Sequence, residues 1–129
     1  MSKAEDVELL AHYTELLCIS KAKEHLWDFT KYNFEDLDTT RFHKNYYEIL
    51  DAFAKGKIKR LMVSMPPQHG KSTGSSEMLP AYLLGRNPNL KVAIISYSAS
   101  KARKFGRKVQ AIINEPKYFN VFPDTILNE

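Results

Sequence analysis

Apolar positions recur with helical spacing from the start of the chain. Val7, Leu10 and Leu17 fall on one stripe of a helix expected over residues 3–18. Ser2 stands at its N-cap, and Glu5 three positions on completes a capping box. Ser20 is a second capping candidate, opening a short helix through Trp27 and Phe29. Residues 33–40 are polar and acidic and read as a connection. The clearest helical pattern comes next, with Thr39 or Thr40 as its cap. Phe42, Tyr46, Ile49, Leu50 and Phe53 follow one another at spacings of 4, 3, 1 and 3. Gly56 is placed for a left-handed C-terminal cap.

The pattern then changes. Residues 59–64 read as a strand running into a loop, with a helix expected from Lys71. Pro80 either kinks that helix or starts a second short one, because proline has no N–H to donate. Gly85 and Asn87-Pro88 end the segment. Residues 91–97 form a nearly all-apolar run, expected of a strand covered on both faces. Ser98 or Ser100 caps a final helix in which Ala102, Phe105, Val109 and Ile112 face inward. Glu115-Pro116 closes it, and residues 118–129 read as irregular. Strand, helix, strand and helix in this order predict an α/β fold with a parallel sheet and a right-handed crossover. Residues 1–38 form an N-terminal helical segment ahead of a domain that begins at residue 39.

The chemistry concentrates in residues 65–73. A polyphosphate requires converging backbone N–H donors, a cation at its outer oxygens and a hydroxyl for the magnesium. Gly70 allows close backbone approach, Lys71 can reach the β- and γ-phosphates, and Ser72 can ligate Mg²⁺. The N–H donors come from Gln68, His69, Gly70, Lys71, Ser72 and Thr73. His69 shapes the loop. Pro66 and Pro67 offer no N–H, and their fixed φ stiffens the approach to it. Met65 occupies the place of the first glycine in the Gly-x-x-x-x-Gly-Lys-Ser/Thr pattern.

The run Met65-Pro66-Pro67-Gln68-His69-Gly70-Lys71-Ser72 resembles the Walker A variant of the large terminase subunits of tailed bacteriophages, whose loop reads Pro-Pro-x-His-Gly-Lys-Ser. The similarity continues through residues 79–88 and 92–102, and reaches back to Phe42-His43. This resemblance implies a P-loop NTPase-type parallel sheet, incomplete here and preceded by N-terminal helices. It implies ATP and Mg²⁺ as cofactors, with Lys71 and Ser72 as the phosphate and magnesium residues. It also implies a viral motor that drives double-stranded DNA into a procapsid and carries a C-terminal nuclease. Its partners would be other terminase subunits and the procapsid portal. The complete protein would be a homo-oligomer in the cytoplasm of an infected bacterial host. Gln68 departs from relatives that carry an arginine at that position, so the loop supplies no arginine to sense the γ-phosphate.

Hydrolysis needs an apolar strand ending in Asp-Glu to orient the attacking water. Val121-Phe122-Pro123-Asp124 is the nearest segment, and Pro123 would break the strand. The nuclease carboxylates are also absent. The chain therefore reads as the product of a truncated or split gene with little ATPase activity of its own. The alternative is a non-catalytic remnant, or an interaction module that docks on other terminase subunits. Composition agrees with a soluble globular chain: 43% of residues are hydrophobic and none of the runs is long enough to span a membrane. The net charge of +4 is a mild bias. Residues 101–108 hold five of the 19 basic side chains and read as a solvated helix face, with DNA phosphate as the sharper alternative. Phe42 and Tyr46 are expected in the core. His12, His25 and His43 lack metal-ligand spacing, and Cys18 reads as a small buried residue in a reducing compartment.

Overall fold

A computed structural model describes residues 2–34 and 40–128. Helix α1 (Lys3–Glu24) is capped by Ser2, which accepts from the Glu5 N–H while the Glu5 carboxylate takes the Ser2 N–H, as the sequence predicts. It runs on past Ser20, so that residue caps nothing. The chain turns at His25 into α2 (Leu26–Asn33). Helix α3 (Arg41–Ala54) starts at Thr40, whose hydroxyl accepts from the His43 N–H; Thr39 lies outside the described residues. Gly56, at φ 76°, closes α3 with the Gly56 N–H on the Phe53 carbonyl and the Lys57 N–H on the Ala52 carbonyl. That is the paired-bond arrangement of a left-handed C-cap.

Helical backbone resumes at Lys71 and runs without a break to Arg86. Its first turns are widened into a π-helix (Thr73–Met78), followed by α4 (Leu79–Arg86). Pro80 accounts for the widening. In a regular α-helix its ring would crowd the carbonyl four residues back, and the wider turn, with the Leu79 N–H on the Gly74 carbonyl, relieves this. Helices α5 (Ala99–Ile113), capped by Ser98, and α6 (Pro116–Val121) complete the chain. The irregular tail expected from residue 118 is therefore partly helix, and Tyr118, Val121 and Phe122 are buried.

The expected parallel sheet is not there: no strand occurs among the described residues. The P-loop NTPase-type α/β fold read from the sequence is therefore corrected to a helical assembly. The two strand-like segments retain a two-residue alternation. Leu61, Val63 and Met65 are half-buried around an exposed Met62, as is Ile94 next to an exposed Ile95. Each lays one face on the helices and turns the other to solvent. A parallel sheet is stable only when both faces are covered, and two strands alone are marginal. The sixteen core residues all come from helices or the residue ending α6, and none from residues 59–64 or 91–97.

That core is aromatic. Phe29 of α2 packs against Tyr82, Tyr118 and Phe122 with ring centroids 5.6, 5.9 and 5.7 Å away. The Tyr118 hydroxyl donates to the Ala81 carbonyl at 2.8 Å. Phe122 lies so close to Gly85 that a Cβ there would overlap its ring. The apolar stripe read on α1 stays outside this core, with Val7, Leu10 and Leu17 exposed, and Cys18 is exposed as well. Ile49 and Phe42 on α3 are also half-exposed, whereas Tyr46, Tyr47 and Leu50 are buried.

Three helices meet at the Asp51 carboxylate. Its Oδ1 accepts from the Leu26 N–H at 3.2 Å and the Tyr82 hydroxyl at 2.9 Å, and Oδ2 pairs with Lys55 Nζ at 2.6 Å. Burial raises the Asp51 pKa, but the hydrogen bonds from Lys55, Tyr82 and Leu26 outweigh it and hold the carboxyl below its usual range. A carboxyl depressed in this way stabilises the fold above its unfolded pKa of about 3.9, and that contribution is lost as pH falls through the folded value. Asp51→Asn should cost about 1.5–3 kcal/mol at neutral pH, read from urea unfolding. The variant should also lose less stability on acidification than the parent; equal acid sensitivity would place the titrating group elsewhere.

Candidate phosphate site

The loop between residue 65 and the helix start at Lys71 is pinned from three directions. Gln68 adopts a left-handed conformation, φ 62°, which costs a residue with a Cβ about 1–3 kcal/mol. Gly70, at φ 76°, adopts the same conformation without that cost. The strained turn is clamped on both sides. His69 Nδ1 donates to the Pro67 carbonyl at 2.8 Å, and His43 Nε2 donates to the His69 carbonyl at 3.1 Å. A carbonyl only accepts, so His43 carries a proton on Nε2, and its Nδ1 shares a hydrogen bond with the Thr40 hydroxyl at 2.7 Å. The residue that caps α3 thus also fixes the ring that holds the loop. Phe42 adds an edge-on contact with the His69 ring at 6.2 Å, outside the core where the sequence puts it.

The helix start is fixed separately. The Tyr46 hydroxyl donates to the Lys71 carbonyl at 2.7 Å, and the Ser75 hydroxyl donates to the same oxygen at 2.9 Å. Tyr46 is buried, and burial raises its pKa against the hydrogen bonds with Ser75. Gly74 lets the helix lie against that ring, since a Cβ there would sit 2.6 Å from Tyr46 Cε1. Sequence reasoning misses Gly74 and the anchoring roles of His43 and Tyr46. Their partners lie about 25 residues away, and the only local signal is a third glycine four positions after Gly70.

This scaffold leaves a run of donors available. The N–H groups of Gln68, His69, Gly70, Lys71, Ser72 and Thr73 have no backbone or side-chain acceptor among the described residues; the first bond back into the loop runs from the Gly74 N–H to the Gly70 carbonyl at 3.1 Å. The first N–H groups of any helix are unpaired, but here the unpaired run extends three residues ahead of the helix. Residues 66–72 are exposed, and the Lys71 ammonium has no ion-pair partner among the described residues. Lys71 and Ser72 open the helix, where its dipole adds partial positive charge.

Beside Thr73 lies a cavity of about 480 Å³, lined by Asn33, Phe34, Glu77, Lys108 and Glu115 among others. Glu77 is buried and pairs with Lys108 Nζ at 2.9 Å, closing the π-helical turns against α5. This draws Lys108 out of the basic run, and Lys101 lies over the Tyr97 ring at 5.1 Å. Arg103, Lys104 and Arg107 stay exposed. No group of His, Cys, Asp and Glu positioned to hold a metal occurs among the described residues, and none of their helices is long and apolar enough to cross a membrane. Comparison with protein-family models, curated proteins and solved structures gives no match to this chain.

Proposed function

We propose that residues 65–73 bind the polyphosphate of ATP with Mg²⁺, and that the chain is the ATP-binding part of a viral DNA-packaging motor of the terminase large-subunit kind. The carrying observation is the run of N–H donors from Gln68 to Thr73 that have no acceptor among the described residues, directly ahead of and overlapping Lys71 and Ser72. The left-handed Gln68 supports the same reading, because a strained turn held by two histidines is a preorganised one. The motor assignment rests on the Pro-Pro-Gln-His-Gly-Lys-Ser loop.

The residues present fit such a ligand. The loop amides would hold phosphate oxygens, the Lys71 ammonium would neutralise the β/γ charge, and the Ser72 hydroxyl would ligate Mg²⁺. Bound Mg²⁺ supplies charge stabilisation at those oxygens. Lys71→Ala should abolish most Mg-ATP binding by calorimetry while leaving the unfolding transition unchanged. Equal binding by parent and variant would refute the assignment.

Turnover is a separate matter. In the acidic-motif arrangement expected here, a carboxylate at the phosphate site orients the attacking water. Glu77 is buried and engaged with Lys108, and Asp124 lies after the proline beyond α6. The chain should therefore hydrolyse ATP at background rate, with or without double-stranded DNA. A normal enzymatic rate, on the order of 1–1,000 per second, would contradict this, and Glu77→Gln and Asp124→Asn would then identify the group responsible.

A further inference from the structure

Helix α1 is 22 residues long, about 33 Å. The rest of the molecule covers only its C-terminal end. Ala22 is buried and Ile19 half-buried, while every residue from Lys3 to Cys18 is exposed. At about 100° per residue, Ala22 and Ile19 mark the side of α1 that faces the body. Val7, Leu9, Leu10, Tyr13, Leu16 and Leu17 all fall on the opposite half of the circumference, and all six are exposed. An apolar patch within residues 7–17 thus points away from the only core the described residues form.

The charges on the same half of the circumference select the patch's occupant. They are Lys3, Asp6, Lys21 and Glu24, one pair at each end. Their spacing is symmetric about the Tyr13–Thr14 peptide. Asp6 and Lys21 are equidistant from it, as are Lys3 and Glu24, and as are Leu10 and Leu17. Antiparallel contact with a second α1 about a two-fold axis at that point sets Asp6 beside Lys21, Lys3 beside Glu24 and Leu10 beside Leu17, each twice. A parallel contact would set each charge beside itself.

We infer that this face of α1 is the interface of a homodimer, with two copies of the chain packing their first helices antiparallel. Such an interface is isologous and closed, so it buries both apolar faces and stops at two chains. The inference is independent of the phosphate site, whose loop is held by α3 and not by α1.

Sedimentation equilibrium of the full chain tests it. The expected mass at high concentration is twice the 14.9 kDa of one chain. Leu10→Asp combined with Leu17→Asp should return it to a single chain, with the thermal transition of the core retained because neither residue touches that core. Asp6→Lys should raise the dimer dissociation constant roughly several-fold, and Asp6→Lys with Lys21→Asp should restore it. Both exchanges oppose the dipole of α1, so effects within one chain would weaken the double variant further, and recovery isolates the contact between chains. A monomer at every concentration, a dimer indifferent to the leucine changes, or a double variant weaker than Asp6→Lys would overturn the inference.

Discussion

The fold depends on one carboxylate. Asp51 closes the N-terminus of α2 by accepting the Leu26 N–H, holds α4 through the Tyr82 hydroxyl, and positions Lys55. Lys55 in turn donates to the Glu24 carbonyl at the end of α1, and Arg86 bridges the Tyr82 hydroxyl and the Lys23 carbonyl. Two helix ends that would otherwise leave unpaired groups near the core are thereby satisfied by side chains from other helices. An acid at this position is costly to bury, and only three simultaneous donors make it favourable. The aromatic cluster of Phe29, Tyr82, Tyr118 and Phe122 assembles around the arrangement Asp51 sets.

The same α3 that carries Asp51 toward the core carries His43 and Tyr46 toward the loop. Both residues lie on turns preceding Asp51, so the helix that organises the core also holds the His69 and Lys71 carbonyls. The loop's strained turn is therefore held by a helix that is itself anchored in the core through Tyr46, Tyr47 and Leu50. This is the structural basis for a row of amides held open at the start of a helix.

Locally encoded features were legible in the sequence. The Ser2/Glu5 capping box, the Thr40 and Ser98 caps, the Gly56 stop and the helix start at Lys71 each depend on a few neighbouring residues and occur as expected. What failed depends on partners. Residues 91–97 are apolar enough for a buried strand, but with no sheet to join among the described residues, Ile95 and Tyr97 face solvent. The stripe on α1 has true helical periodicity, yet periodicity does not say which side the body occupies. Tyr118, Val121 and Phe122 went unrecognised because six residues carry too little periodicity to separate a helix from a tail. In the loop of residues 65–73 the turn at Gly70 and the helix start were legible, while the residues that pin them, His43 and Tyr46, were not.

The central claim is that the amides of residues 68–73 form a phosphate cradle, and amide NMR tests it most directly. Adding Mg-ATP should shift the N–H resonances of Gln68, His69, Gly70, Lys71, Ser72 and Thr73 and slow their hydrogen exchange. The amides of Tyr82 and Tyr118 in the core should stay where they are. Unchanged loop amides at saturating Mg-ATP, or shifts confined to the Glu77–Lys108 cavity, would contradict the account.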